Sequence, residues 1–89
     1  MNGKGSNICK KAVKVFGKDV QEMMFIEECG ELFQALSKKR RGFKDANIAE
    51  EIADVEIMLE QLKHCYGCHI QANDHKRRKL DKLKSMVEG

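Results

Sequence analysis

The segment from Ile48 to Tyr66 reads IAEEIADVEIMLEQLKHCY, and its apolar residues return every three or four positions. At about 100° per residue, Ile48, Ile52, Val55, Leu59, Leu62 and Tyr66 share one stripe, while Glu56, Glu60 and Lys63 are expected to point away. That is the pattern of an amphipathic helix. Asn47, followed three residues later by Glu50, gives its start signal, because such a pair satisfies free amides of the first turn. Working outward, Gly17, Gly42 and Gly67 punctuate a chain that has no proline, and they divide it into four pieces. The pieces predict helices over about residues 7–16, 20–41, 48–66 and 74–88, the second opening on an Asp19–Glu22 capping pair. No strand alternation, repeat or low-complexity tract interrupts them. The expectation is an all-α fold, a single four-helix-bundle-type domain over residues 1–89.

The second helix carries an unusually broad apolar arc. Val20, Met24, Phe25, Cys29, Leu32 and Leu36 lie within it, with Ile26 and Phe33 farther round. A helix apolar over most of its circumference needs neighbours on several sides, and a chain of 89 residues can hardly supply them all. A homo-oligomer, dimer or tetramer, is therefore expected. The longest apolar run, Met23 to Ile26, is far short of the roughly 18 residues that cross a bilayer. The polar, basic stretch from Met1 to Lys11 lacks the apolar core of a secretory signal, so the expected location is cytoplasmic and the four cysteines are read as free thiols. Cys9 and Cys29 read as small apolar packing residues. A net charge of +3 is too mild to argue for a nucleic-acid partner. Its distribution is more telling: eleven of the 14 acids lie between Asp19 and Glu60, whereas Lys38–Arg41 and Lys76–Lys79 are basic clusters.

Several of those acids fall inside the apolar arcs. Glu28 lies between Met24 and Leu32 around the second helix, Glu31 between Val20 and Met24, and Glu27 at the margin. On the third helix Glu51 falls between Met58 and Leu62, with Asp54 beside the stripe. An ionised carboxylate in an apolar face costs several kcal/mol unless its pKa rises, a base pairs with it, or a cation binds. Glu28 and Glu31 are three residues apart, as are Glu51 and Asp54, so each pair projects from one side of its helix. Two facing pairs of carboxylates suit a hard, oxygen-seeking ion such as Mg²⁺ or Mn²⁺. Solvated helix acids paired with lysines are the bland alternative.

The run Glu27-Glu28-Cys29-Gly30-Glu31, then 19 residues, then Glu51-Ile52-Ala53-Asp54, reads EExxE followed by ExxD. With Phe16-Gly17 and Gln21 upstream and Ala35-Leu36 after the first motif, it resembles the MazG-like all-α nucleoside triphosphate pyrophosphohydrolases over residues 13–66. The resemblance implies Mg²⁺-dependent hydrolysis of a (d)NTP to (d)NMP and pyrophosphate. It implies Glu28, Glu31, Glu51 and Asp54 as metal ligands and Glu27 as the group that holds or deprotonates the attacking water. A triphosphate also needs cations, for which Lys38 at the end of the second helix is a candidate. Lys79 and Lys82 would correspond to a Lys-xx-Arg-Leu element of similar proteins, with lysine in place of the arginine.

Three other readings compete. Cys65-Tyr66-Gly67-Cys68-His69 spells CxxCH, the attachment motif for c-type haem. A zinc site from Cys65, Cys68 and two of His64, His69 and His75 fits no common structural zinc spacing. A non-catalytic module binding nucleic acid through Lys76–Lys84 lacks interleaved aromatics and is diluted by Asp81. Phe16, Phe33, Phe43 and Tyr66 serve equally as core residues or as base-stacking ones, so neither nucleobase nor sugar is named by the sequence.

Overall fold

Four α-helices account for nearly all of the computed structural model, which describes residues 1–89: α1 (Gly3–Phe16), α2 (Lys18–Arg40), α3 (Ile48–Tyr66) and α4 (His69–Glu88). The third has the bounds its periodicity predicts. Asn47 caps it, its side chain accepting from the Glu50 amide at 3.4 Å. At its other end Gly67 sits in the left-handed region at φ 58°, where a side chain would be strained. The Gly67 amide donates to the His64 carbonyl and the Cys68 amide to the Lys63 carbonyl, so both closing bonds of a Schellman turn are made.

The other starts differ from expectation. Helix α1 begins at Gly3, four residues early, because Asn2 accepts from the Gly5 amide at 2.8 Å and caps it. Helix α2 begins at Lys18, directly after Gly17, whose φ of 88° makes the turn out of α1. The Asp19–Glu22 pair does not cap it; Glu22 instead accepts a hydrogen bond from the Tyr66 hydroxyl, with the Lys18 ammonium over the Tyr66 ring. Helix α4 begins at His69 rather than Asp74, since the Schellman turn spends only Gly67 and Cys68 before the chain resumes helical geometry.

Helix α3 is central: α2 packs along it, α1 crosses it while touching α2, and α4 contacts α3 alone. The expected bundle thus closes over three helices, and the fourth stands off. Accordingly the radius of gyration is 15.5 Å, against about 12 Å for a compact chain of this length. Only Cys9, Ala35 and Met58 are buried apolar residues, with Gln21 and Glu60 as buried polar ones. Glu60, expected in solvent, is 5% exposed, whereas Ile52, Leu59 and Tyr66 of the expected stripe are 44, 42 and 56% exposed. The side of α3 that α1 covers is the Glu60 side, and Ser6 of α1 gives the carboxylate a partner there. Val20, Met24, Ile26, Phe33 and Leu36 of the broad arc on α2 are open to solvent, as are Met23, Phe16 and Phe43. No helix is long and apolar enough to cross a membrane.

Candidate functional site

The two acid pairs meet where α2 lies against α3. Carboxylate oxygens of Glu28, Glu51 and Asp54 stand within 4.8 Å of one another. Glu31 is exposed beside them, and its charge bears on both Glu28 and Glu51. Helical spacing explains the convergence: Glu28 on α2 and Glu51 with Asp54 on α3 are half-buried where the helices meet, Glu31 lies at the exposed edge, and the loop from Arg41 to Asn47 folds α3 back beside α2. Glu28 and Glu51 are half-buried, and each holds one oxygen, Oε2, out of water with no hydrogen-bond partner. Burial pushes the Glu28 carboxyl above the usual carboxylate range, and the charges of Glu31, Asp54 and Glu51 push it further. Glu51 is raised by burial and then by Glu31, Asp54 and Glu50. None of these acids forms an ion pair; the salt bridges of the protein involve Glu60 and Asp74. The bland alternative, lysine-paired acids, is thus not what the side chains do. Like charges gathered at a half-buried spot, with two orphaned oxygens and no nitrogen or sulfur donor among them, fit a hard divalent cation.

Beside this cluster opens a cleft of about 310 Å³, lined by Glu31, Gln34, Lys38, Asp45, Asn47 and Glu51 among others. Lys38 therefore lines a cleft that also holds Glu31 and Glu51. Gln34 and Asn47 were not read from the sequence as site residues. Their signal was available, since Gln34 lies three residues after Glu31 and Asn47 four before Glu51, on the same sides of their helices. Glu27 is exposed and, one helical step round from Glu28, lies outside the four-carboxyl set. Lys79 and Lys82 lie on the solvent-exposed length of α4 and line no part of the cleft.

A second cluster was missed altogether. Glu60 Oε2 is 2.7 Å from Ser6 Oγ, 2.7 Å from His69 Nε2 and 3.2 Å from His64 Nε2. Ser6 Oγ also lies 2.9 Å from His64 Nε2. The zinc grouping of His with Cys65 and Cys68 does not form: both thiols are free, His64 and His69 face Glu60, and His75 lies against Arg78. Within CxxCH, His69 is engaged with Glu60, Cys65 lies in the last turn of α3 and Cys68 precedes α4. On α4, Arg77 and Arg78 are both tied to Asp74, at 2.7 and 3.0 Å. Compared with known protein families, with curated proteins and with solved structures, the chain matches none.

Proposed function

We propose that the protein is a Mg²⁺-dependent nucleoside triphosphate pyrophosphohydrolase of the MazG-like type, cleaving a (d)NTP between the α and β phosphorus to give (d)NMP and pyrophosphate. The observation that carries this reading is the meeting of Glu28, Glu51 and Asp54 around two unpartnered oxygens, at the edge of a cleft lined by Glu31 and Lys38. Those four carboxylates would hold Mg²⁺, with Mn²⁺ as a substitute. When bound, the ion neutralises phosphate charge and polarises phosphorus. Lys38 holds the phosphate chain electrostatically, while the side-chain amide of Gln34 supplies a hydrogen bond for orientation. Glu27, exposed beside the cluster, takes the proton from the attacking water, whose oxygen bonds to the α phosphorus as pyrophosphate leaves.

Surface arithmetic supports a homo-oligomer, dimer or tetramer. The chain exposes 7173 Å², whereas a compact protein of its mass exposes about 5,300 Å². The excess is larger than the roughly 800 Å² each partner gives to a standard interface. Association would cover Met23, Ile26 and Phe33. Free thiols and a nucleotide substrate fit a cytoplasmic protein.

The test is product identification by phosphorus NMR after incubation with Mg²⁺ and a panel of ordinary and modified triphosphates. Monophosphate plus pyrophosphate, abolished by Glu51→Gln, supports the reading. Orthophosphate release would mean another bond is cut, and no turnover by folded protein would overturn the enzyme assignment.

A further inference from the structure

We propose that Glu60, His64 and His69 form a second, separate metal site that takes a borderline divalent ion of the Zn²⁺ class and fixes the start of α4 to the body of the protein. The three donor atoms, Glu60 Oε2, His64 Nε2 and His69 Nε2, lie within 4.8 Å of one another. With metal–ligand bonds of about 2.0–2.1 Å, the ligands of a tetrahedral ion stand about 3.3 Å apart. The His64 separation of 3.2 Å already matches this edge, and the His69 separation of 2.7 Å opens to it by a small ring movement. His69 has that freedom, being the first residue of α4 with a side chain 35% exposed. The rings stand edge to face at 63°, so two nitrogens approach one point without stacking.

Sequence and turn together build the grouping. Glu60 and His64 are four residues apart on one side of α3, and the two-residue Schellman turn returns His69 to the same place. Two imidazoles and one carboxylate are the donor set of zinc sites that keep a fourth position open, and Ser6 Oγ faces that position from α1. Imidazole ligands distinguish this site from the all-oxygen cluster, which lies about 9 Å away along α3 on the six-residue rise from Asp54 to Glu60. The protein alone leaves the site overcrowded. One carboxylate oxygen, with two lone pairs, is approached by a hydroxyl and two ring nitrogens at once. A nucleophile relay does not account for it, because Ser6 touches the same His64 nitrogen that faces Glu60, leaving no second nitrogen to carry the proton onward.

The site has a structural task, since α4 contacts no helix but α3 and His69 is its first residue. Full-length protein stripped with chelator and desalted would be titrated with Co²⁺ in excess Mg²⁺, which occupies the carboxylate cluster. One equivalent should bind, giving the intense visible d–d bands of four-coordinate cobalt and no near-ultraviolet thiolate band. Zn²⁺ should displace it and slow hydrogen exchange in the first turns of α4. His69→Gln and His64→Gln, each checked by circular dichroism for intact helix content, should weaken binding by more than the roughly 10–100-fold that loss of a supporting contact costs. The proposal is overturned by no Co²⁺ binding above the Mg²⁺ background, by a weak six-coordinate spectrum, or by a thiolate band that disappears in Cys65→Ser/Cys68→Ser. Affinity unchanged in both folded histidine variants would overturn it equally.

Discussion

Replacing Glu28 by Gln should make the metal-free protein more stable and the Mg²⁺-saturated protein less so. Glu28 has carboxylate neighbours in Glu51 and Asp54 within 4.8 Å, and Glu31 beside them. Two unit charges 4.8 Å apart repel by about 0.9 kcal/mol in water and about 3.5 kcal/mol at an effective dielectric of roughly 20. Because the cluster is only half-buried, the water-like value applies to each pair, and removing one charge relieves about 1–2 kcal/mol. For a domain of this size that raises Tm by about 5–10 °C in EDTA. Wild-type protein at a Mg²⁺ concentration about a hundredfold above Kd gains about 2.7 kcal/mol, or about 10–20 °C. Glu28→Gln should forfeit most of that gain. Differential scanning calorimetry of both proteins, with EDTA and across a Mg²⁺ series, reads all four values. If the variant were destabilised in EDTA, or shifted by Mg²⁺ as the wild type is, these carboxylates would be ordinary surface acids and the metal argument would fail.

Glu27→Gln should lower kcat by about 10²–10⁴-fold while leaving the Mg²⁺-induced rise in Tm intact, which steady-state kinetics and calorimetry together resolve. Without metal, stability should peak between pH 4.5 and neutrality. Glu60, lowered from 4.5 to about 2, contributes about 3 kcal/mol that is present above 4.5 and lost as pH falls toward 2. Glu28 and Glu51 are raised, so the folded state binds their protons more tightly and their contribution falls away as pH rises toward neutrality. Urea titrations from pH 2 to 8 should therefore show Glu60→Gln flattening the acid limb and Glu28→Gln the neutral one. Gln21, 1% exposed with an unpartnered Oε1, should yield about 1 kcal/mol of stability on replacement by Met, seen as a higher urea midpoint. Phe33→Glu, on the open face of α2, should reduce the sedimenting species to a monomer; an unchanged oligomer would clear that face of any part in association.

What was legible in the sequence is what local periodicity governs. Helix α3 was readable to the residue because its cap, stripe and terminal glycine all agree, and the four carboxylates were readable because three-residue spacing fixes a side of a helix whatever the partner. Glu60 was misread for a tertiary reason. Around α3 it lies opposite the apolar stripe, yet α1 packs there and brings Ser6, so a polar contact rather than an oily one decides what is buried. The His69 half of that cluster was hidden by the start of α4, which a two-residue turn places five positions before the expected start at Asp74. Lys38 was readable as a cation after the second helix; that it lines a cleft depends on where residues 45–47 return.

The small core gives the two clusters a common physical role. Three buried apolar residues in a chain of 89 cannot offset the conformational entropy of ordering it, which for each residue is of order 1–2 kcal/mol. Proteins in that position draw stability from bound ions or from partners, because binding to the folded state alone is folding free energy. Here the opportunities lie at different interfaces: the carboxylates join α2 to α3, the Glu60 cluster joins α1 and α4 to α3, and the apolar face of α2 is open to solvent. The two clusters therefore tie different helices to α3. It follows that Mg²⁺, Zn²⁺ and protein concentration should each raise the unfolding temperature independently, with increments that add, since the groups involved share no side chain. Increments that failed to add would mean that the carboxylate and histidine clusters report on one opening of α3 rather than two.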